Sequence, residues 1–330
     1  MRFERRPRFL ITGAFGAIGA WTIRSLLDRG HFVVALDLGT STHRLRIALQ
    51  PGQLETLPTV QCDITDLDAV RRVMDEYDIT NVIHLAALQV PFVQANPVLG
   101  AKVNVLGTLN LLEAVRQRQQ RMSALVYASS IAVYGAAGTL DGGDPVGTLY
   151  GVYKRTNEST ARRYYEDFGV SSIGLRPHTV YGPGRDQGLT SAPTTALIAA
   201  AAGVAYEIPF GGSAQMQFTQ DVGEAFARTG LLEYEGASVH NLDGPVIPMG
   251  ELARLIGAEA PDAAGLITCD GPALPFPAHV DGASFVELLG GSVLRSVENG
   301  VTTALGQFSG LIEAGLVTPP APRPSAMAGQ

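Results

Sequence analysis

In LYGVYKRTNE, residues 149–158, a phenol and an ammonium stand four residues apart. On a helix that spacing puts Tyr150 and Lys154 on one face, where their polar ends can converge. The chemistry such a pair offers is proton transfer. A phenol ionises near pH ~10 and is a poor base at neutral pH until a nearby positive charge stabilises the phenolate. Alone, the pair is common on exposed helices, so its meaning depends on what else the chain supplies.

A second set of residues answers that. ITGAFGAIG places Gly13, Gly16 and Gly19 between an apolar run and a helical pattern. Glycines there let the backbone turn tightly and approach a pyrophosphate, whose charge is met by the N-terminus of the following helix. Asp37 ends the next apolar run, 18 residues after Gly19. A carboxylate near that separation grips ribose hydroxyls and repels a 2′-phosphate, so NAD is expected rather than NADP. Arg44 lies close enough in sequence to soften that preference.

These residues need elements to hold them. RFLIT (8–12) is a short apolar run ending at the glycines, and residues 17–29 follow with Ile18, Trp21, Ile23, Leu26 and Leu27 at helical spacing. HFVVALD (31–37), TVQCD (59–63), NVIHLAA (81–87) and ALVYASS (124–130) read as further buried strands. Between them fall DLDAVRRVMDEY (66–77) and a long helix from about Val98 to Gln119. Nearly continuous apolar strands alternating with helices indicate a parallel sheet covered on both faces, a doubly wound Rossmann-type α/β domain. After about residue 185 the pattern loosens, and Gly and Pro punctuate residues 243–282. The expected division is residues 1–185 and 217–239 for an NAD-binding domain and 186–216 and 240–315 for a smaller substrate-binding part, with 316–330 a mobile tail.

Composition narrows the function classes. A net charge of −7 gives no electrostatic support to a nucleic-acid or anionic-membrane partner, and the basic cluster RFERRPR at the start reads as a solvated extension. Cys62 and Cys269 are far apart, and the six histidines lack a ligand spacing such as HExxH, so no disulfide framework and no metal are expected. The N-terminus has no apolar signal region and no uninterrupted apolar run reaches a membrane-spanning length, so a soluble, cytoplasmic protein is expected.

The spacing GxxGxxG, with HLAA (84–87), NVLGTLNLLEA (104–114), YASSIAVYG (127–135), YGVYK (150–154) and LRPHTVYGPGR (175–185), resembles the extended short-chain dehydrogenase/reductases. More narrowly, it is similar to the NAD-dependent epimerase/dehydratase family. The resemblance implies that Tyr150 is the catalytic acid/base and that Lys154 lowers its pKa and binds the nicotinamide ribose. Ser130 would bind the reacting oxygen, and Asn104 would brace the site as part of the catalytic set. The implied cofactor contacts are Gly13, Phe15, Gly16, Ala17, Ile18, Gly19, Asp37, Asp63, Ile64, Leu85, Ala86, Ala87, Asn104, Ala128, Tyr150 and Lys154. Residues 98–119 and 150–168 would pair two subunits as a homodimer, with Val105, Leu109 and Leu112 as candidates for the interface.

Members of the family that act on nucleotide-linked sugars usually carry Asn where this chain has Thr179, and an Arg that falls on Ala214 when the late Asp221-Val222 pair is aligned. Arg grips a diphosphate bidentately, so its absence argues for a smaller substrate. The expected reaction is NAD-dependent oxidation of a secondary alcohol of an aldose, sugar acid or polyol. The alternative is a nucleotide-sugar epimerase that recycles its NAD, and a non-catalytic NAD-binding protein is disfavoured by the intact Ser130, Tyr150 and Lys154. Expected substrate contacts are Gln89, Gln94, Ser129, Ser130, His178 and Thr179, with Arg185 if the substrate is acidic. Phe218 is expected to pack.

Overall fold

The structure, a computed structural model, describes residues 6–135 and 146–321. Its strands are β1 (Arg8–Thr12), β2 (Phe32–Asp37), β3 (Thr59–Gln61), β4 (Asn81–His84), β5 (Leu125–Ala128), β6 (Ser172–Arg176), β7 (Thr179–Tyr181), β8 (Tyr206–Ile208), β9 (Ser213–Phe218), β10 (Ala237–Asn241), β11 (Val246–Pro248) and β12 (Ile267–Cys269). The helices of the first half are α1 (Ala17–Asp28), α2 (His43–Ala48), α3 (Gln53–Thr56), α4 (Leu67–Glu76), α5 (Val90–Ala95), α6 (Pro97–Ala101), α7 (Gly107–Gln117) and α8 (Leu149–Phe168). Those of the second are α9 (Ala192–Ala201), α10 (Thr219–Thr229), α11 (Met249–Glu259), α12 (Ala283–Leu289) and α13 (Val297–Glu313).

Seven strands form one parallel sheet in the order β10-β6-β5-β4-β1-β2-β3. Leu10 on β1 sits between Val34 on β2 and Val82 on β4, and all three are buried. Because helices cover both faces, these strands need no polar alternation. One face packs Phe9, Ile11, Trp21, Ile23, Phe226 and Phe285 from β1, α1, α10 and α12. The other packs Leu10, Val34, Val70, Leu111, Leu112 and Ala161 from β1, β2, α4, α7 and α8. The parallel arrangement brings the carboxyl ends of all seven strands to one edge, where ligands of such sheets bind.

The smaller part has its own core, including Tyr181, Phe210, Phe218, Met249, Ile256 and Phe308. It carries a three-stranded sheet, β11-β9-β7, and the pair β12-β8. Its limits differ from a simple reading of the chain. Thr179–Tyr181 and Gln217–Phe218 belong to the small sheet, whereas Leu242, Phe285 and Leu289 return to the large core. Val317 packs against the small core, and the tail expected over 316–330 lies outside the described residues from 322 on.

The helix expected over 98–119 runs from Pro97 to Gln117 with a π-turn, Lys102–Leu106, inside it. By length and composition this span is apolar enough to cross a membrane, but Leu111, Leu112, Ala114 and Val115 are in the core. Leu112, a candidate for the subunit interface, therefore faces its own sheet. At α8, the Thr148 side chain accepts from Gly151 N–H and caps the helix two residues before Tyr150, a contact of about 1 kcal/mol. Gly169, in the left-handed region at φ 71°, ends the helix.

Candidate active site

The glycine turn is shaped by close approach. Gly13 has φ 67°, and a Cβ there would stand 2.5 Å from the Ala86 backbone nitrogen. A Cβ on Gly19 would collide with the Gly13 carbonyl, so β1, β4 and α1 meet with no room for side chains. Phe15 N–H donates to Asp37 Oδ2 at 2.9 Å and Gly39 N–H to Oδ1 at 2.9 Å, which fixes the carboxylate beside the turn. The tight turn, the open N-terminus of α1 and a carboxylate at the end of β2 fit a dinucleotide with an unphosphorylated ribose.

Beneath the turn lies a neutral histidine. His84 Nδ1 accepts from Thr12 Oγ1 at 2.7 Å, and its Nε2–H donates to Thr108 Oγ1 at 3.0 Å, since Thr108 donates onward to the Asn104 carbonyl. Burial, with the Lys154 charge adding to it, lowers the His84 pKa to about 3. The Asn104 carboxamide accepts from Leu88 N–H at 2.7 Å and donates to Leu88 O at 2.9 Å. Each of its ends has a partner, and Asn104 holds the Leu88–Gln89 backbone, which fits the bracing part expected of it. The Ile64 side chain packs on Gly107 in the core, while Asp63, just past β3, is exposed.

Around the opening motif, Lys154 is buried and its Nζ donates to Ala128 O at 2.6 Å, 5.7 Å from the Tyr150 ring centre. Burial lowers its pKa to about 8, and Glu158, one turn further along α8, opposes that shift. Burial raises the Tyr150 phenol, while a hydrogen bond from Ser130 and the charge of Arg185 pull it down. The charge of Arg185 thus acts on the phenol, and the ammonium of Lys154, though near the Tyr150 ring, makes its hydrogen bond to β5. Gly151 is required beside Tyr150, because a Cβ there would strike the Ala132 carbonyl behind Ser130.

Two neighbours of these groups are occupied elsewhere. Ser129, expected on the substrate, donates to Glu158 instead. Glu158 forms a buried bidentate pair with Arg176, at 2.7 Å to Nε and 2.6 Å to Nη2. Sequence reading missed this pair, although Glu158 stands at i+4 from Lys154 on the same helical face. His178 is also a structural group: its Nε2–H donates to Pro277 O at 2.8 Å, and its Nδ1 accepts from the buried Thr179 Oγ1 at 3.1 Å. Burial lowers the His178 pKa to about 4. Gln217 accepts from His178 N–H and donates to the carbonyls of Leu242 and Asp243, while Gln215 accepts from and donates to the backbone of Val280. Phe218 packs in the small core, as does Ala214, opposite Ile247 on β11.

Arg185 differs from all of these. Its Nη2 donates to Thr190 Oγ1 at 3.0 Å, but its buried Nε has no hydrogen-bond partner among the described residues. Gln89 and Arg185 both reach the space above Gly188, where Oε1 of one and Nη2 of the other converge. Among the described residues no cluster of His, Cys, Asp and Glu could hold a metal ion.

Residues 9–229 match the family described as NAD dependent epimerase/dehydratase family. UDP-glucuronate 4-epimerase 2 of Arabidopsis thaliana is 35% identical over 185 residues, covering 53% of this chain and 42% of that protein. The matched segment thus spans less than half the length of this curated relative. In the solved structures, UDP-glucose 4-epimerase of Thermus thermophilus in complex with NAD superposes with a TM-score of 0.75 at 25% identity, over 92% of this chain and 99% of that one. L-threonine dehydrogenase of Clostridium difficile gives 0.80 at 21% identity, over 95% and 100%, a likeness of fold. A match across the glycine turn, Asp37, Ser130, Tyr150 and Lys154 in one unbroken span decides the assignment: the chain belongs to the NAD dependent epimerase/dehydratase family, enzymes of the extended short-chain dehydrogenase/reductase type that use NAD.

Proposed function

We propose that this enzyme is a dehydrogenase that oxidises a secondary alcohol of a small sugar acid, with Tyr150 as base and Arg185 as the partner of the substrate carboxylate. One observation carries the reading: Arg185, whose charge pulls on the Tyr150 phenol, has a buried nitrogen that no described group satisfies, and its fork meets Gln89 above Gly188. Burying an arginine without an ion partner is costly, and a bound carboxylate offsets that cost with charge-assisted hydrogen bonds of about 1.5–3 kcal/mol each. The absence of an arginine at Ala214, whose side chain is in the small core, removes the usual grip on a nucleotide diphosphate.

The residues divide the work. Bound NAD supplies the acceptor for the carbinol hydride. Tyr150 takes the hydroxyl proton onto its phenolic oxygen, Ser130 bonds the oxygen that becomes the carbonyl, and Arg185 favours the phenolate that starts the step. Lys154, protonated at neutral pH with the help of Glu158, would add positive charge to the site and hold the nicotinamide ribose when NAD is bound. Gln89 lies where it can bond a further hydroxyl.

A second reading, a nucleotide-sugar epimerase that recycles its NAD, is favoured by the names of the curated relatives, since a uronate also presents a carboxylate. Mixing the protein with excess NAD and, separately, free sugars, sugar acids, polyols and UDP- or dTDP-sugars distinguishes the two. The dehydrogenase reading expects NADH to accumulate with a free acid. An isomerised nucleotide sugar with no net NADH would replace it with the epimerase. Arg185→Met should lower kcat/KM for the acid about 10²-fold. It should also move the alkaline rise of kcat to higher pH, because the charge that lowers the Tyr150 pKa is gone.

A further inference from the structure

Arg44 stands between the cofactor turn and the loop that carries Arg185. Its Nη1 donates to Phe15 O at 3.1 Å, and Phe15 N–H is the donor that holds Asp37. One residue of the glycine turn is therefore flanked by the carboxylate expected to read the ribose on one side and by a guanidinium on the other. An arginine so close to the ribose site is what a 2′-phosphate requires, because the planar fork matches phosphate oxygens bidentately. Here that fork faces the other way. Nε lies 3.0 and 3.2 Å from the two oxygens of Asp186, and Nη2 lies 2.6 Å from Oδ1.

We infer that Asp186 is a cofactor-specificity residue: by holding Arg44 it withholds a cation from the ribose end of the turn and keeps the enzyme on NAD. Asp37 and Asp186 together outweigh Arg44, which leaves the trio with one net negative charge facing any 2′-phosphate. Neutralising Asp186 removes that excess and frees Nε and Nη2. The loop itself stays docked without the pair. Trp21 Nε1–H donates to Pro183 O at 2.9 Å, and Thr219 Oγ1 donates to the same oxygen at 3.2 Å. The substitution is thus separable from collapse of the site, and the inference does not depend on which substrate is oxidised.

Calorimetric titration of the full-length protein with NAD and with NADP, in the absence of substrate, tests this. Asp186→Ala should tighten NADP binding tenfold or more and change NAD affinity by less than about threefold. Adding Arg44→Met to Asp186→Ala should abolish the gain, and Asp37→Asn with Asp186→Ala should enlarge it. Unchanged NADP affinity in Asp186→Ala overturns the inference, as does a gain that survives loss of Arg44, which would reduce Asp186 to a repelling charge. Loss of NAD binding in Asp186→Ala also overturns it, since the pair would then be holding the turn itself.

Discussion

Around Gly13 an added atom collides with backbone, whereas around Gln217 a removed atom leaves donors and acceptors without partners. The first region is the cofactor wall of the cleft, made of main chain packed on main chain. The second is the wall that the proposed function assigns to the substrate, where β7 and β9 are joined to residues 242–243 and 277–280 by carboxamides and a neutral imidazole. The cofactor wall is specified by what cannot be present, and the substrate wall by what must be. Substitutions on each wall should therefore fail in different ways.

The largest effect is expected at Gly13→Ala. Its backbone lies at φ 67°, and its Cβ would press on Ala86 N at 2.5 Å and the Leu85 carbonyl carbon at 2.7 Å, atoms of a central strand end that cannot move aside. NAD binding by calorimetry should weaken by at least ~10²-fold, about 3 kcal/mol. Gln217→Leu is the counterpart on the other wall. It deprives His178 N–H and the Leu242 and Asp243 carbonyls of a buried partner, at roughly 3 kcal/mol of unfolding free energy in urea. NAD affinity should stay within about twofold, and a matching loss there would show that the two walls are one unit.

Each wall also holds a histidine kept neutral by burial, so acid should loosen both. The folded pKa of His178 is about 4 against an ordinary 6.5, so the unfolded chain binds more protons between those values and stability falls as pH drops through that window. From pH 7 to pH 5 His178 should cost about 2 kcal/mol, and His84, lowered to about 3, a comparable amount. His178→Gln, which keeps a donor toward Pro277, should remove about half of that slope. A variant with the full wild-type slope would mean that His178 gains its proton without strain.

The two walls were unequally legible in the sequence. The cofactor wall follows from a strand, a turn and a helix in immediate succession, so Gly13, Gly16, Gly19 and Asp37 could be read from spacing. Tyr150 and Lys154, one turn apart on one helix, were noticed from their spacing, but their expected roles came only from the accompanying motifs. On the substrate wall the deciding partners are remote: Gln215 meets Val280, and His178 meets Pro277, across 65 and 99 residues. Nothing local distinguishes Arg176 from Arg185, nine residues on, yet one is locked in a buried pair with Glu158 and the other has an unsatisfied nitrogen. Ser129 and Ser130 are adjacent and both were expected on the substrate, and only the fold shows that the first serves Glu158.

The outer surfaces continue the contrast. Phe92, Val98, Leu99, Leu106, Leu149 and Val152 are all exposed on α5, α6, the π-turn and α8, behind the cofactor wall, whereas on the smaller part Val246 is the exposed large apolar side chain among the described residues. Leu38, after β2, and Phe168, at the end of α8, are exposed as well, so the strip is a concentration on one flank rather than the whole of the exposed apolar surface. Six such side chains on neighbouring elements are better explained by a covering surface than by chance scatter, and we propose a second copy of the chain, packed α6 and α8 against α6 and α8. Val98, 68% exposed, is the sharpest probe because its protomer gives it little to hold. Val98→Asp should change the unfolding free energy of the protomer by less than about 0.5 kcal/mol, the smallest effect here, yet move the sedimentation coefficient from dimer to monomer at micromolar concentration. A wild-type protein that sediments as a monomer would remove the dimer, and would leave the strip to some other cover on the flank that builds the cofactor site.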